Sequence, residues 1–247
     1  MRENRKNLEI EQLFNKNMLC NKACIEVAAF EPITLSDFPG RLASLVFIHG
    51  CNLRCRFCHN PEFVTMQVGN DFSSDFYKYL DLKKPGAVAI TGGEPLLSPS
   101  IVPFLIFLQN KGCAVKLDTN GFIPERLKQV IEEKLVQYVA MDVKALNDDD
   151  LKFITRRSIS MDVFFKSLFF LQKSNISFEL RLTVWKNFHE EDIIKFSNIV
   201  GKNVILYLQH CRFYDKMLDK RFISCLKDIR FDEVRQLFEK YMTVKVR

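Results

Sequence analysis

Short apolar runs alternate with amphipathic stretches along most of this 247-residue chain. The apolar runs predict buried strands at residues 42–48, 87–90, 114–117, 138–141, 178–184 and 204–208. Helical periodicity predicts helices at residues 74–82, 100–111, 124–134, 161–173, 190–200 and 232–241. Such alternation is typical of βαβ units that share a parallel sheet. Six strands in succession, with no Gly-x-Gly-x-x-Gly turn after the first, predict an α/β fold: a partial (β/α)6 TIM-like barrel of parallel strands with outer helices.

The same pattern divides the chain into three parts. Residues 1–30 are polar and predict an N-terminal extension that is flexible apart from a short helix over residues 7–15. Residues 31–213 are predicted to form the barrel core, and residues 214–247 a C-terminal helical segment. An apolar fraction of 47% and a charged fraction of 27% are ordinary for a soluble globular protein with a buried core.

Membrane and nucleic-acid roles are not favoured by the sequence. No stretch reaches the roughly 18 apolar residues of a membrane span, and no apolar leader follows the charged N-terminus, so we expect a cytoplasmic protein. The net charge is +6, with lysine and arginine spread along the chain. A basic surface can attract nucleic acid or an acidic electron donor. Because the chain has no aromatic–basic motif of the RNA-binding type, we expect no nucleic-acid partner.

Polar motifs follow the predicted strands at their carboxyl ends. In chain order they occupy residues 51–58, 91–95, 118–121, 141–144, 181–187 and 209–212. Parallel α/β barrels carry their catalytic residues on the loops at this end of the sheet. We therefore expect these motifs to lie together and to form one site.

The loop after the first predicted strand carries Cys51, Cys55 and Cys58 in a CxxxCxxC pattern. Soft thiolates bind zinc, copper(I) or iron–sulfur clusters. A cubane cluster normally takes four cysteines, so three on one loop would leave one iron open to a substrate. The alternative is a zinc site with His59 as fourth ligand, but the second CxxC or HxxxH of most zinc sites is not evident. Iron is favoured over zinc, and a disulfide is the weakest interpretation.

The other five cysteines carry less information. Cys20 and Cys24 are either ligands or thiols on a helical face, and the second interpretation is favoured because two cysteines alone do not hold another cubane. Cys113 and Cys225 lie in apolar surroundings and are interpreted as small core residues. Cys211 ends the last predicted strand beside His210, and neither residue receives a role.

The motif Gly92-Gly93-Glu94 has two interpretations. Glycines have no Cβ, so they would let the backbone approach a ligand closely. Glu94 could then accept hydrogen bonds from an ammonium group. Taken alone, the motif would more simply be a tight turn with a solvated glutamate.

Five further polar residues near the strand ends are candidates for binding. Asp118, Thr119 and Asp142 offer oxygen ligands to a hard cation or a ribose, and Lys144 could pair with a carboxylate. Taken alone, these would be ordinary turn residues. Arg181 lies in an apolar strand, and a buried arginine needs a partner.

That partner is either the carboxylate of a ligand or a neighbour in the chain such as Glu179. His49, just before the cysteine loop, is interpreted as a core histidine.

The order of these motifs resembles that of the radical S-adenosylmethionine (radical SAM) enzymes. Within them, Thr34-Leu-Ser-Asp-Phe-Pro-Gly40, the run from Cys51 to Pro61, GGEP, DTNG, MDVK and LRLTV resemble the glycyl-radical-enzyme activating family. The resemblance covers residues 30–213 or so, and is greatest to activating proteins of anaerobic ribonucleoside-triphosphate reductase and of pyruvate formate-lyase. The short stretch 60–90 has no cysteine, so the auxiliary-cluster insertion of some activating enzymes is expected to be absent.

The resemblance implies a set of cofactors and ligands. Cys51, Cys55 and Cys58 would hold a [4Fe–4S] cluster whose open iron binds the amino and carboxylate groups of S-adenosylmethionine. The cosubstrate-binding residues would be Phe57, Gly92, Gly93, Glu94, Asp118, Thr119, Asp142, Lys144 and Arg181. The aspartates and the threonine would also help to bind a monovalent cation.

The resemblance also implies a reaction and its partners. S-adenosylmethionine would be cleaved reductively to a 5′-deoxyadenosyl radical, which abstracts hydrogen from a glycine of a partner enzyme. That partner would be a glycyl-radical enzyme of the anaerobic ribonucleotide reductase or pyruvate formate-lyase type, with flavodoxin or ferredoxin as electron donor. Two alternatives stay open: a radical SAM enzyme acting on a small molecule, and a non-catalytic zinc protein.

Overall fold

One eight-stranded sheet organises the computed structural model, which describes residues 25–64, 71–212 and 216–247. The strands lie in chain order: β1 (Val27–Thr34), β2 (Ala43–Ile48), β3 (Ala87–Gly92), β4 (Ala114–Thr119), β5 (Tyr138–Val143), β6 (Ser177–Val184), β7 (Ile205–His210) and β8 (Thr243–Val246). Strand β1 is antiparallel to β2, and every later pair is parallel. In the described part of the chain β1 and β8 are the two edges, so the sheet is an open, partial barrel. The prediction of six parallel strands is confirmed by β2 to β7.

The helices lie between the strands as expected for βαβ units. They are α1 (Ser73–Lys83), α2 (Ile101–Asn110), α3 (Pro124–Glu132), α4 (Asp148–Thr155), α5 (Met161–Lys173), α6 (Glu190–Val200), α7 (Ile223–Leu226) and α8 (Phe231–Glu239). All six predicted helices are present, with ends within two residues of the prediction. The sequence did not predict α4, the short α7 or the edge strands β1 and β8. None of the described helices combines the length and hydrophobicity needed to cross a bilayer. The helix predicted over residues 7–15 lies outside the described residues, as do Cys20 and Cys24.

Alternation along the strands gives the sheet two different faces. The outer face packs against the helices through fully buried residues, among them Val46, Ile90, Leu117, Val139 and Leu182. The inner face is small and apolar at the amino-terminal end of the strands, where Phe38 packs with Ala43, Ala87, Ala114 and Tyr138. Nearer the carboxyl end the inner face carries charge, on Lys116, Asp118, Asp142, Glu179 and Arg181. The fold therefore closes one end of the barrel and places charged groups at the other.

Candidate active site

A cavity of about 310 Å³ opens at the carboxyl end of the sheet. Its lining includes all the site residues expected from the sequence except Glu94. These are Cys51, Cys55, Phe57, Cys58, Gly92, Gly93, Asp118, Thr119, Asp142, Lys144 and Arg181. The motifs that follow five different strands thus meet in one place, as expected when the carboxyl ends of parallel strands share an edge.

The cysteine loop is fixed from outside the cavity by helix α4. The Arg54 amide donates to the Thr155 carbonyl at 3.0 Å, and the Arg56 amide donates to the Ile154 carbonyl at 2.9 Å. The Arg54 guanidinium also donates to the carbonyls of Cys51 and Leu53, at 2.6 and 2.7 Å. These bonds satisfy backbone groups of a loop that has no regular secondary structure, and so they hold the cysteines in place.

Burial controls the protonation of the three thiols. It raises the pKa of Cys51 to about 11 and that of Cys55 to about 12, and it also raises the pKa of Cys58. The positive charge of Lys144 opposes this effect at all three cysteines but does not cancel it. The free thiols are therefore protonated near neutral pH, and a metal centre that binds them must displace their protons.

The side chains of this site are not arranged around a single metal ion. Among the described residues, no three or more His, Cys, Asp or Glu side chains are arranged to hold one ion. The zinc alternative, with His59 as fourth ligand to the three cysteines, gains no support from this geometry. Three soft sulfur donors along one cavity wall are instead a donor set that a multi-iron cluster can use.

Two carboxylates and three cations form a buried network on the opposite wall. The Arg181 guanidinium bridges the carboxylates of Asp118 and Asp142, at 3.0 and 2.7 Å. Lys116 pairs with Asp118, and Lys144 pairs with Asp142 at 3.1 Å. Burial alone would raise the pKa of Asp142, but Arg181 and Lys144 outweigh it and lower that pKa to about 2. With one cation in excess, this wall is suited to an anionic ligand group such as a carboxylate.

The structure identifies the partners of Arg181, which the sequence left open. They are Asp118 and Asp142, because register places Asp142 directly opposite Arg181 on the neighbouring strand. Glu179, the other candidate, instead accepts from Arg247 at 2.5 and 2.9 Å. A monovalent cation between the two aspartates would compete with Arg181, and its binding there stays a prediction.

Glu94 lies behind the cavity wall and joins two strand ends. Its fully buried carboxylate accepts hydrogen bonds from Thr119 Oγ1 at 2.8 Å and from the amides of Asn120 and Leu96 at 2.6 and 3.1 Å. Burial raises the pKa of Glu94 to about 7 against the effect of these bonds. The three bonds come from the protein itself, so a contact between Glu94 and an ammonium group stays a prediction.

The two glycines before Glu94 are required by the packing of the protein backbone. A Cβ on Gly92 would lie 2.3 Å from the backbone of Ile48, and one on Gly93 would lie 2.1 Å from the Gly50 carbonyl oxygen. These distances are far below van der Waals contact, so any side chain would push β3 away from the start of the cysteine loop. Both glycines still line the cavity, and the Gly93 amide donates to the Ile48 carbonyl at 2.9 Å.

Some residues of the site were not identified from the sequence. Asn120 lines the cavity. Its side-chain Nδ2 donates to Asn52 Oδ1 at 2.7 Å and lies 3.9 Å from Cys51 Sγ. The signal for Asn120 was its place in the Asp-Thr-Asn-Gly motif, between a predicted ligand and a turn glycine. Other residues of the lining without an assigned role are Leu53, His59, Asn60, Thr91, Thr183 and Gln209.

The cysteines and histidines to which the sequence assigned no role in the site lie in several environments. Cys113 is buried, as predicted. The prediction of a core position for Cys225 is wrong: it is exposed, because the four-residue helix α7 buries none of its side chains. His210 stacks on Phe231 with ring centroids 3.6 Å apart. Both ring nitrogens of His49 are buried without a hydrogen-bond partner in the described structure.

Comparison with known proteins agrees with this fold. The model of the radical SAM superfamily matches residues 45–199. A Methanocaldococcus jannaschii protein, itself assigned provisionally as a glycyl-radical enzyme activating enzyme, is 31% identical over 186 residues, covering 73% of this chain and 77% of that protein. The pyruvate formate-lyase-activating enzyme of Clostridium pasteurianum is 31% identical over 138 residues, covering 52% of this chain and 56% of that enzyme.

A solved structure shares the fold at much lower identity. Streptococcus suis SuiB bound to S-adenosylmethionine superposes with a TM-score of 0.58 and 16% identity, over 80% of this chain and 48% of that chain. A partial barrel with three cysteines on the loop after its first parallel strand defines a class of enzymes that carry out radical chemistry. The chain belongs to the radical SAM superfamily. Its cofactors are therefore a [4Fe–4S] cluster and S-adenosylmethionine, and the three sulfur donors fit that cluster.

Proposed function

We propose that this protein is a glycyl-radical enzyme activating enzyme. The observation that carries the proposal is the cavity in which the buried Cys55 and the half-buried Cys51 and Cys58 share a lining with a cationic network. The relatives named as activating enzymes support the choice of reaction, although the chain spans only about half of the pyruvate formate-lyase-activating enzymes that it matches.

In this proposal the thiolates of Cys51, Cys55 and Cys58 hold the [4Fe–4S] cluster. When bound, the cluster supplies the single electron that cleaves the S-adenosylmethionine sulfonium and yields a 5′-deoxyadenosyl radical. The chain holds the cosubstrate in place for that step. Gly92 and Gly93 offer backbone groups to its amino group, and Lys144 offers positive charge to its carboxylate.

The remaining residues keep these groups in place. Arg181 holds one oxygen of Asp118 and one of Asp142, and Lys116 and Lys144 pair with the other two, so that both carboxylates are fixed at the cavity. Glu94 fixes Thr119 and Asn120 from behind. Phe57 is buried against the cavity and lies under the Lys144 ammonium, 5.8 Å from its ring centre, where the ring restrains that cation.

The substrate in this proposal is a glycine on a loop of a large partner enzyme. We expect that loop to reach the cavity at the carboxyl end of the open sheet. Anaerobic ribonucleotide reductase is the first candidate for the partner, pyruvate formate-lyase the second, and flavodoxin or ferredoxin would supply the electron. The protein would act in the cytoplasm, with residues 31–213 as the catalytic core.

The test is to incubate the anaerobically reconstituted protein with S-adenosylmethionine, dithionite and each candidate partner. We expect a glycine-centred doublet in the electron paramagnetic resonance spectrum of one partner, together with 5′-deoxyadenosine. A partner whose radical glycine is replaced by alanine is the control and should give no doublet. Formation of 5′-deoxyadenosine without a doublet from any glycyl-radical enzyme would contradict the proposed substrate and favour a small molecule instead.

A further inference from the structure

A second depression lies beside the cysteine loop and outside the cavity. It measures about 420 Å³ and is lined by Arg56, Asp149, Lys152, Phe153, Arg156, Arg157 and Ser158. None of these residues lines the cavity described above. We refer to its four cationic side chains together with Phe153 as the basic patch.

The basic patch combines positive charge with an exposed aromatic ring. Lys152, Arg156 and Arg157 are exposed, and Phe153 has 44% of its surface accessible. The Arg56 guanidinium lies over the Phe153 ring, 4.6 Å from its centre. Cations around a partly exposed aromatic residue are typical of protein interfaces, in which aromatic and arginine side chains contribute much of the binding energy.

Internal ion pairs neutralise only part of this charge. Asp219 pairs with Arg56 at 2.7 Å and with Arg156 at 2.5 Å. Among the described residues, Asp149 lines the depression itself and Asp219 lies beside it, so these two carboxylates balance only part of the charge of four cations. Lys152 forms no ion pair among the described residues. The net charge of the basic patch is therefore positive, and it attracts a partner with an acidic surface.

The basic patch is joined directly to the backbone that follows Cys55. Arg56, the next residue, belongs to the patch, whereas Cys55 lines the cavity. The Arg56 amide is hydrogen-bonded to the Ile154 carbonyl, and Ile154 follows Phe153 in helix α4. An electron that arrives at the patch therefore has a short route of covalent and hydrogen bonds to the Cys55 sulfur.

We propose that the basic patch is the docking surface for an acidic protein that donates one electron. This inference rests on the proposed function, because it assumes a cluster held by Cys55. Within the docked pair, one electron leaves the reduced centre of the donor, which is oxidised by one unit, and the [4Fe–4S] centre is reduced by one unit. No bond is made or broken, and no proton is transferred.

Other occupants fit the position of the patch less well. A partner that presents its glycine must reach the cavity, which is lined by different residues of the cysteine loop. Nucleic acid would be attracted by the same charge. Its binding would not require a surface adjoining the cysteine loop, whereas electron transfer to the cluster does.

The experiment reverses one charge of the patch in the reconstituted holoenzyme. Lys152→Glu changes an exposed side chain on α4, and Lys195→Glu makes the same change on the exposed side of α6 as a matched control. The probes are an acidic [2Fe–2S] ferredoxin and an acidic flavodoxin, with duplex DNA for comparison. Dissociation constants are measured by calorimetry at low and high salt, and cluster reduction by stopped-flow absorbance.

We expect Lys152→Glu to weaken donor binding roughly ten-fold at low salt and to slow donor-driven cluster reduction. Lys195→Glu should leave both close to wild type, and high salt should reduce the difference. Dithionite needs no docking surface, so 5′-deoxyadenosine formation with dithionite should be the same in all three proteins. If that activity is missing from the wild type, the proposed function fails, whereas the binding measurements test the patch separately.

Three results would overturn the docking proposal. The first is that neither acidic donor binds the wild-type protein, including the case in which only DNA binds in a way that depends on Lys152. The second is equal weakening of donor binding by Lys152→Glu and Lys195→Glu, because net charge alone would then explain it. The third is loss of dithionite-driven turnover in Lys152→Glu, which would assign Lys152 a structural role.

Discussion

The loop that leaves β2 and the carboxyl ends of β4 to β6 face each other across the cavity, but their polar groups are satisfied in different ways. On the strands, Asp118, Asp142 and Arg181 pair with one another inside the protein. On the loop, the thiols are partly or fully buried and hold their protons, and the His49 ring has no hydrogen-bond partner in the described structure. The charged groups at the strand ends are therefore paired without a cofactor, whereas the thiols of the loop become metal ligands only when a cofactor binds.

The largest difference should appear when one cysteine is removed. Cys55→Ala leaves two thiolates for the [4Fe–4S] cluster, so we expect iron content and 5′-deoxyadenosine formation to fall to background. The ion pairs across the cavity do not depend on Cys55, so the urea midpoint of the metal-free protein should change little. The measurements are iron analysis, chromatography of the nucleoside and urea unfolding followed by circular dichroism.

The matched control for this variant is Cys225→Ala. Cys225 is exposed on α7 and lies outside the cavity, so its replacement should retain iron and activity. Turnover in Cys55→Ala at more than background would contradict the assignment of the cluster ligands.

The second prediction changes the strand ends instead of the loop, and its effect is measured on the metal-free protein. Arg181→Met leaves two carboxylates, Asp118 and Asp142, without their shared cation. Because Asp118 and Asp142 each keep a lysine partner, the cost should lie towards the lower end of the roughly 3–5 kcal/mol typical of removing one partner of a buried pair. We expect a loss of that order in the free energy of unfolding of the metal-free protein, measured with urea.

Arg235→Met is the control for this loss. Arg235 pairs with Glu239 on the surface of α8, and an exposed pair contributes roughly 0–1 kcal/mol. Equal losses from the two variants would mean that the buried network adds nothing to the stability of the fold.

Glu94 gives a pH-dependent test of the link between the two regions. Its pKa is raised to about 7 in the folded protein, above the ordinary value of 4.5. The stability associated with its proton is therefore fully present below pH 4.5 and is lost as the pH rises through 7. Relative to Glu94→Gln, which does not titrate, the wild type should lose roughly 2–3 kcal/mol between pH 5 and pH 8. Urea unfolding of both proteins at several pH values measures this, and parallel curves would show that Glu94 keeps an ordinary pKa.

The sequence predicted the central part of the fold because its strands and helices have strong hydrophobic patterns. Strands β2 to β7 are apolar runs, and their common direction follows from the helices between them. The edge strands lack this signal: β1 contains Pro32 and three exposed residues, and β8 has four residues of which none is fully buried. Helix α4 was missed since it has only eight residues and begins with three aspartates capped by Asn147.

For the site, the sequence located the residues but not their pairing. Because each motif follows a parallel strand at its carboxyl end, the sequence alone predicted that the motifs meet in one cavity. Which carboxylate accepts from Arg181 depends on strand register, and the nearest acidic residue in the sequence, Glu179, was not the answer. Glu94 illustrates the same limit, because the direction of its side chain depends on the close packing at Gly92 and Gly93.

The smallest effect, and the one most specific to the loop, concerns His49. An imidazole whose two nitrogens are buried without partners costs stability, because neither nitrogen recovers the hydrogen bonds it makes with water. The ring packs edge-on against Phe63, with centroids 5.9 Å apart, so an apolar ring of similar shape can take its place. We therefore expect His49→Phe to raise the free energy of unfolding of the metal-free protein by about 1 kcal/mol. A loss of stability would mean that a group of the protein or a bound water satisfies the imidazole in solution, and that the loop is more complete without its cofactor than the thiols alone indicate.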